Sequence, residues 1–240
     1  MSKLLVLYVL HIYNDKVKHF IDNCIFYDAN IDFIIISNDK NNQFDVPEYV
    51  KTFFRDNIGY DFGGWSDALL TNNLYKNYDK FIFVNSSVIG PFLPQYYKKK
   101  WTDVYIDELQ DNIKLVGSTI NTCCRPLEAS HVQSYIFAMD NITLQYLIDC
   151  EIFSLTNYTS TFWDTVNNKE ILMSRKLIEN NWNISSLLPY YKGVDFTFKN
   201  KKPEEYELPF LNDIMYQEHR NKLWSEYDLV FIKGNRVNIS

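Results

Sequence analysis

The sequence of 240 residues is long enough for one domain with a sizeable hydrophobic core. Apolar residues make up 46% of it and charged residues 22%, which excludes wholesale disorder. A net charge of −6 argues against a nucleic-acid-binding domain, because such domains usually carry a basic face. Aromatic residues reach 17%, but a compositional bias toward Tyr, Phe, Ile, Asn and Lys explains this abundance, so it indicates no sugar-binding surface by itself.

An apolar run from Leu4 to Leu10 stands near the start of the sequence. The run is too short to cross a bilayer and lacks a small-residue cleavage site, so it predicts a buried first strand and no signal peptide. The four cysteines, Cys24, Cys123, Cys124 and Cys150, show no C-x-x-C spacing and indicate free thiols in a reducing compartment. We therefore expect a cytoplasmic protein without a membrane-spanning segment.

The first two-fifths of the chain alternates predicted strands with predicted helices. Continuous apolar runs predict strands at 3–10, 32–37, 50–54 and 80–85, with a helix capped by Asn14 and Asp15 and a second helix at 65–75. This alternation is typical of an α/β fold whose mostly parallel sheet is covered by helices on both faces. In such sheets ligands bind at the carboxyl ends of the strands, near a switch in strand order.

The remaining chain is less regular but continues the same fold. We expect helices at 101–113, 142–153, 159–167 and 169–181, and strands at 114–118, 132–139 and 228–233. No internal repeat, low-complexity linker or Pro/Gly hinge divides the sequence. The prediction is therefore a single domain over residues 1–240.

Glycines are concentrated in one predicted loop. Three of the seven, Gly59, Gly63 and Gly64, fall within six residues, after a predicted strand and at the start of a predicted helix. Backbone N–H groups there could face a phosphate or a sugar hydroxyl. Four polar residues accompany the glycines: Arg55, Asp56, Asn57 and Asp61. A glycine-rich turn whose Asp and Asn side chains cap the helix explains the pattern equally well.

A second polar cluster, Asn85-Ser86-Ser87, ends the fourth predicted strand. Its oxygens could coordinate a hard cation, although neutral ligands hold a divalent ion more weakly than carboxylates do. The alternative interpretation is a plain turn that leads into Gly90 and Pro91.

Three further groups complete the candidate residues. His131, Gln133 and Ser134 begin a predicted strand, and Glu170 lies in the first turn of a predicted helix, where the helix dipole favours its anion. Lys233 and Arg236 follow the last strand and could meet a diphosphate. The alternatives are a capping histidine, ordinary first-turn charge placement and a solvated basic tail.

Five segments occur in a characteristic order: RDNIGYDFGGW from Arg55, YDKFIFVNSSVIGPF from Tyr78, HVQS from His131, KEILMSR from Lys169 and FIKGNR from Phe231. In this order they resemble the GT-A glycosyltransferases of the rhamnan and capsular polysaccharide type. More closely they resemble small glycosyltransferase-like proteins of giant DNA viruses. The likeness extends over most of the chain and implies one GT-A-like domain, with residues 1–100 as the nucleotide-sugar-binding half and 101–240 as the acceptor half and C-terminal elaboration.

The resemblance also implies an activity. A hexosyl or deoxyhexosyl unit such as rhamnose would pass from a nucleotide sugar, by default UDP-linked, to a hydroxyl of a glycan or glycoprotein acceptor. For a viral protein the place would be the host cytoplasm or a virus factory. Two alternatives stay open: a degenerate nucleotide-sugar-binding protein without catalysis, and another nucleotide-dependent α/β enzyme such as a nucleotidyltransferase. The second expects a basic signature loop near the first strand, which this sequence lacks.

Site residues follow from the resemblance position by position. The donor pocket would comprise His11, Tyr13, Ser37, Asn38, Arg55, Asn57, Gly59, Asp61, Gly63, Gly64, Trp65, Asn85, Ser86, Ser87, Gln133, Ser134, Lys233 and Arg236. An inverting enzyme needs a base near the acceptor, for which Glu170 is the first candidate and Asp164 or His131 the next; Asp61 is a further catalytic candidate. A retaining enzyme would need no such base.

The resemblance breaks down at the metal site. Asn85 and Ser87 occupy the positions at which GT-A enzymes usually carry an Asp-x-Asp pair for Mn²⁺ or Mg²⁺. Either a divalent metal is held by the diphosphate together with Asp61 or another acid, or Lys233 and Arg236 neutralise the leaving group instead. One of these arrangements is required for activity, because stabilising the departing charge is the largest demand of the reaction.

Overall fold

The computed structural model of the protein describes residues 2–122, 130–206, 211 and 213–237. The strands are β1 (Leu4–Leu10), β2 (Ile31–Ser37), β3 (Lys51–Phe54), β4 (Lys80–Asn85), β5 (Val88–Ile89), β6 (Ile113–Gly117), β7 (Ile120–Asn121), β8 (His131–Val132), β9 (Ile136–Asp140), β10 (Asn183–Ser186) and β11 (Ile232–Lys233). The helices are α1 (Asp15–Cys24), α2 (Tyr60–Leu70), α3 (Trp101–Ile106), α4 (Asn141–Asp149), α5 (Phe162–Thr165), α6 (Leu172–Glu179) and α7 (Glu226–Leu229). A π-helical segment, Val166–Ile171, joins α5 to α6.

Seven strands form the central sheet, in the order β10-β6-β9-β4-β1-β2-β3. Strand β9 runs antiparallel to both of its neighbours, whereas the other adjacent pairs are parallel. Two small ribbons, β5 with β11 and β7 with β8, flank this sheet. The mostly parallel α/β fold in a single domain that the sequence predicts is therefore confirmed.

The hydrophobic core is continuous across the sheet. Every residue of β1 is buried, because this strand lies between β2 and β4 and has both faces covered. Next to it, Trp65 of α2 packs edge-on against Phe83 of β4 and Phe137 of β9. Aromatic pairs of this kind add to the free energy gained by burying their surface. Within the described residues, no helix is long and apolar enough to cross a membrane.

Several expected boundaries are wrong. The helix expected at 65–75 begins at Tyr60 and ends at Leu70, so part of the glycine-rich segment lies inside α2. The helix expected at 101–113 ends at Ile106, and the strand expected at 228–233 consists of α7 followed by β11. The strand expected at 132–139 is divided between β8 and β9. Cys24 and Cys150 are free thiols, as expected, while Cys123 and Cys124 lie outside the described residues.

The glycines of α2 allow close packing of backbone. A Cβ atom on Gly63 would lie 2.0 Å from the carbonyl oxygen of Ile58, and one on Gly64 would lie 2.8 Å from Cγ2 of Val9. Gly59 caps the helix with a φ of 74°, a conformation that costs a side-chain-bearing residue free energy. The close approach of α2 to β1 therefore depends on the missing side chain of Gly64, and the packing of its first turn on Ile58 depends on Gly63.

Arg55 fixes the start of α2 to the sheet. Its Nε donates to Asp67 Oδ2 at 2.6 Å, Nη1 to Asn38 Oδ1 at 2.8 Å and Nη2 to the carbonyl oxygen of Ile58 at 2.7 Å. The side chain is 8% exposed. A planar guanidinium satisfies three acceptors at fixed angles, which a lysine ammonium cannot reproduce.

We expect Arg55→Lys to lower the free energy of unfolding by about 2 kcal/mol, because buried acceptors lose charged hydrogen bonds. The matched control is Lys40→Ala, which removes the neighbouring ion pair with Asp56. The side chains of Lys40 and Asp56 are 58% and 66% exposed, so we expect the free energy of unfolding to change by no more than about 0.5 kcal/mol. Urea denaturation measures both values; equal losses would contradict the structural role of Arg55.

Candidate functional site

A pocket of about 260 Å³ opens at the edge of the sheet where β1, β2 and β4 end. Strand β9 runs the opposite way and begins at the same edge, since Asn85 N donates to the carbonyl oxygen of Tyr135 at 3.0 Å. The lining residues are Tyr60, Asp61, Phe62, Asn85, Ser86, Ser87, Ser134, Tyr135, Phe162, Thr165, Val166, Glu170, Lys233, Asn235 and Arg236. The site therefore lies at the carboxyl edge, where ligands of parallel sheets bind.

The basic residues reach the pocket through the ribbon of β5 and β11. Ile232 pairs with Ile89, and Gly234 N donates to the carbonyl oxygen of Ser87 at 2.7 Å. This pairing joins the end of the chain to the turn that follows β4. Lys233 thus lies beside the polar residues of that turn, although it is remote from them in sequence.

Glu170 enters the pocket from the π-helical segment. Ser134 donates to its Oε2 from the backbone N at 2.8 Å and from the hydroxyl, while His131 Nε2 lies 3.5 Å from its Oε1. The preceding residue, Lys169, is buried and donates to the carbonyl oxygen of Glu151 at 2.6 Å. π-helical turns often occur at functional sites, where they change the direction in which a side chain points.

These contacts decide the protonation of Glu170. Burial alone would raise the pKa of its carboxyl group, but the hydrogen bond and charge of His131, with Lys233 and Ser134, lower the pKa to about 2. Glu170 is therefore an anion whose two oxygens are both engaged by the protein.

Asp61 lies in the first turn of α2, and its pKa is raised where that of Glu170 is lowered. Burial raises its pKa to about 6; the hydrogen bond from Asn85 Nδ2, at 3.0 Å, and the charges of Lys233 and His11 act against this rise, and the charge of Glu170 adds to it. The pocket thus combines one carboxylate that is firmly ionised with one that titrates near neutral pH. Such a separation of pKa values is how active sites assign acid and base roles.

The two cations of the pocket are held differently. Lys233 donates no hydrogen bond within the described ranges, and its charge acts on both Asp61 and Glu170. Arg236 donates from Nε to Asp213 Oδ2 at 3.1 Å and lies over the ring of Tyr216. Both cations are therefore available to an anionic ligand, one as a flexible ammonium and the other as an oriented guanidinium.

The polar turn after β4 does not fit a resident metal ion. Asn85 Oδ1 already accepts from the backbone N and the hydroxyl of Ser87, at 3.0 and 2.6 Å, and its amide nitrogen points to Asp61. Across residues 2–122, 130–206, 211 and 213–237, no three acidic, histidine or cysteine side chains are grouped to hold a metal. A hard divalent cation prefers several oxygen ligands with negative charge, which this turn does not supply.

Eight of the expected site residues line the pocket together: Asp61, Asn85, Ser86, Ser87, Ser134, Glu170, Lys233 and Arg236. Two more lie directly behind it. His131 contacts Glu170, and Gln133 donates to Asp213 Oδ1 at 3.2 Å, which places it one contact away from Arg236.

The structure does not bring the other expected residues to the lining. Trp65 is completely buried among aromatic rings of the core, and Gly63 and Gly64 lie inside α2. The rest are distributed along the strand ends and loops: His11, Tyr13, Ser37, Asn38, Arg55, Asn57 and Gly59. The alternative base Asp164 binds the backbone of Ser160 and also lies outside the lining. Direct contact of these residues with a donor stays a prediction.

Seven lining residues are not among the expected site residues: Tyr60, Phe62, Tyr135, Phe162, Thr165, Val166 and Asn235. Tyr60 and Phe62 belong to the glycine-rich segment, so alternation with Asp61 could have included them. Phe162 and Thr165 lie in a short helix without any motif, and only their proximity in the fold brings them to the pocket. Tyr60 has a φ of 54°, an unfavourable value of the kind that clusters at functional sites.

A family model described as Rhamnan synthesis protein F matches residues 33–230. The chain belongs to this family. The match to the rhamnan synthesis protein F family includes Asp61, the turn after β4 and Glu170, and it ends before Lys233. No curated protein matches the chain significantly, and none of the matches supports the expected likeness to viral proteins.

Solved structures are similar to the chain at low identity. The apo structure of the bifunctional glycosyltransferase WbbM shows 12% identity and a TM-score of 0.37, and the alignment covers 85% of this chain and 43% of that one. A cytidylyltransferase from Leptospira borgpetersenii shows 11% identity and a TM-score of 0.42, and the alignment covers 96% of this chain and 93% of that one. The apo glycosyltransferase GlyE from Streptococcus pneumoniae shows 14% identity and a TM-score of 0.40, and the alignment covers 79% of this chain and 46% of that one. The chain thus spans less than half of either glycosyltransferase.

We expect Asp61→Asn to stabilise the protein by up to about 3 kcal/mol at pH 7.5, since each unit of pKa corresponds to about 1.4 kcal/mol. The raised pKa means that the folded state binds a proton more readily than the unfolded chain between the ordinary value of 3.8 and about 6. Wild-type stability therefore falls, relative to the variant, as the pH rises through this window.

Glu170→Gln is the matched control, with the opposite sign. The lowered pKa of Glu170 contributes stability above its ordinary value of 4.5, so the glutamine variant should be less stable than wild type at pH 7.5. Chemical denaturation between pH 4 and 8 measures both differences. If the effect of Asp61→Asn on the free energy of unfolding does not vary with pH, the conclusion that burial raises the pKa of Asp61 is wrong.

Proposed function

We propose that the protein is a glycosyltransferase of polysaccharide synthesis that transfers a sugar from a nucleotide donor, UDP-linked by default, to a glycan hydroxyl. The observation that carries this proposal is the pocket at the carboxyl edge of the sheet, in which two carboxylates with separated pKa values face two cations. Membership of the rhamnan synthesis protein F family supports a transferase of this class.

In this proposal the diphosphate binds to Lys233 and Arg236. The ammonium of Lys233 has no protein hydrogen bond in the described ranges and suits a point contact with a phosphate oxygen. The guanidinium of Arg236 is held by Asp213 and suits a bidentate contact. Because the turn at Asn85 supplies no carboxylate and its amide oxygen already accepts from Ser87, the proposal assigns neutralisation of the leaving group to these cations. The reaction then needs no resident divalent metal.

The proposed base is Asp61, in preference to Glu170. Both oxygens of Glu170 are occupied by Ser134 and His131, and its low pKa makes it a weak proton acceptor. Asp61 accepts a hydrogen bond from Asn85 through Oδ2 and has a pKa near the working pH, which is optimal for general base catalysis. The acceptor hydroxyl would transfer its proton to Asp61 as it attacks the anomeric carbon, and the sugar would be transferred with inversion.

A second candidate function is binding of a nucleotide sugar without catalysis. The absence of carboxylates at Asn85 and Ser87 is the observation that favours it. Both candidates place the donor in the half formed by residues 1–100 together with the cations of β11 and its following turn, and they differ only in turnover.

We expect nucleotide sugars to raise the thermal midpoint in buffer with EDTA, because cations of the protein hold the diphosphate. Ligand at 100 times its Kd stabilises the folded state by about 2.7 kcal/mol. A thermal-shift panel of UDP, GDP and dTDP sugars, with EDTA or Mn²⁺, measures this effect. Lys233→Met should weaken donor binding at least about tenfold, whereas the control Lys222→Met should not. Binding that appears only with Mn²⁺ would contradict the metal-free arrangement.

We expect kcat/KM for sugar transfer to rise with pH through about 6 and then to level off, because Asp61 must be ionised to accept a proton. Asp61→Asn should lose about 10²- to 10⁴-fold in rate while it still binds donor. Glu170→Gln should move the rise to lower pH, because the charge of Glu170 raises the pKa of Asp61. Donor binding without turnover by the wild type, with glycan acceptors present, would instead favour the non-catalytic candidate.

A further inference from the structure

Two neighbouring aromatic side chains of α5 are exposed, and one of them lines the pocket. Phe162 is 58% exposed and lines the pocket, and its neighbour Trp163 is 70% exposed. Their ring centroids are 5.4 Å apart with an interplanar angle of 71°. Large apolar side chains in water carry a free-energy cost, and a pair that continues a pocket outward marks a binding surface.

The local structure holds this pair in place. Thr161 caps α5 by accepting from the backbone N of Asp164 at 3.1 Å, and the hydroxyls of Thr159 and Thr165 are hydrogen-bonded at 2.6 Å. Both rings therefore project from a capped helical turn, which packs beside α2. A surface held in advance loses little conformational entropy when a ligand covers it.

We propose that Phe162 and Trp163 form the platform on which an acceptor oligosaccharide stacks, an inference that rests on the proposed function and extends it. The apolar face of a pyranose ring, formed by its C–H groups, matches an aromatic ring that lies at the border of water. The position of Phe162 carries the argument, because it lines the same pocket as Asp61. An acceptor hydroxyl that reaches the carboxylate of Asp61 therefore belongs to a sugar ring that lies in the same pocket as Phe162.

Trp163 adds a second exposed ring beside Phe162 and outside the pocket lining, so the proposed acceptor covers more than one sugar ring. A nucleotide base is the competing occupant of such rings. The proposed function places the donor diphosphate at Lys233 and Arg236 and the attacking hydroxyl at Asp61, and Phe162 lines the pocket together with Asp61. We therefore assign the two rings to the acceptor glycan.

The experiment titrates the protein, without donor, with a rhamnan oligosaccharide and with rhamnose while tryptophan fluorescence is recorded. Trp65, Trp101 and Trp224 are buried and Trp182 is half-buried against Tyr146, so Trp163 is the most exposed of the five tryptophans and stacking on it should dominate any change of emission. We expect saturable binding of the oligosaccharide, loss of the signal in Trp163→Phe and at least a tenfold weaker response to rhamnose. A titration with mannan and glucan oligosaccharides tests whether the platform accepts other glycans.

Kinetics with the same acceptors completes the test. Phe162→Ala and Trp163→Ala should raise KM for the oligosaccharide at least tenfold and leave donor KM and the thermal midpoint unchanged. The matched control is Tyr27→Ala with Tyr49→Ala, an exposed edge-to-face pair with centroids 5.5 Å apart outside the pocket lining. Unchanged acceptor KM, absence of oligosaccharide binding, or a raised donor KM would each overturn the platform. The donor thermal shift of the wild type tests the glycosyltransferase separately.

Discussion

Strand β9 lies between β4 and β6 and runs antiparallel to both, so its first residues reach the edge of the sheet at which β4 ends. This reversal brings Ser134 beside the turn after β4, and Ser134 in turn binds Glu170 from the π-helical segment. A parallel strand in the same place would present its carboxyl end there and would leave Glu170 without these donors. Ser134 and, through it, Glu170 thus join the pocket by way of this strand.

The pocket places unequal electrostatic demands on its carboxylates. Glu170 offsets its burial with two donors from Ser134 and the nearby charge of His131, so its anion contributes to folding stability. Asp61 has the hydrogen bond from Asn85 and stays costly to ionise, partly because Glu170 is charged. The same arrangement that stabilises one anion destabilises the other. Stability is thus given up at Asp61, the carboxylate that we propose as the catalytic base, a role that a pKa near neutral pH would favour.

The sequence predicts six of the seven strands of the central sheet, because buried strands read as continuous apolar runs, as in β1 and β2; it misses the edge strand β10. The resemblance to GT-A glycosyltransferases also predicts that Asp61, Asn85, Glu170 and Lys233 belong to one site, whereas their positions in the predicted elements leave capping and turn roles open. The sequence fails where three-dimensional pairing decides, because nothing local shows that β11 returns to β5 or that Phe162 lies at the pocket. With so many aromatic residues, the sequence also does not show which rings are exposed, because their exposure depends on how the elements pack.

The glycine-rich segment acts on the site through geometry. Gly64 lets α2 approach β1, and Arg55 ties the start of the helix to Asn38 and to the carbonyl oxygen of Ile58. Asn38 in turn donates to the carbonyl oxygen of Tyr60 at 3.1 Å, so the first turn of α2 is fixed on two sides. Asp61 follows directly and is thereby placed beside Asn85. Within the described contacts, the glycine-rich segment holds the carboxylate of Asp61 in place, and the close packing of its glycines sets the position of that carboxylate.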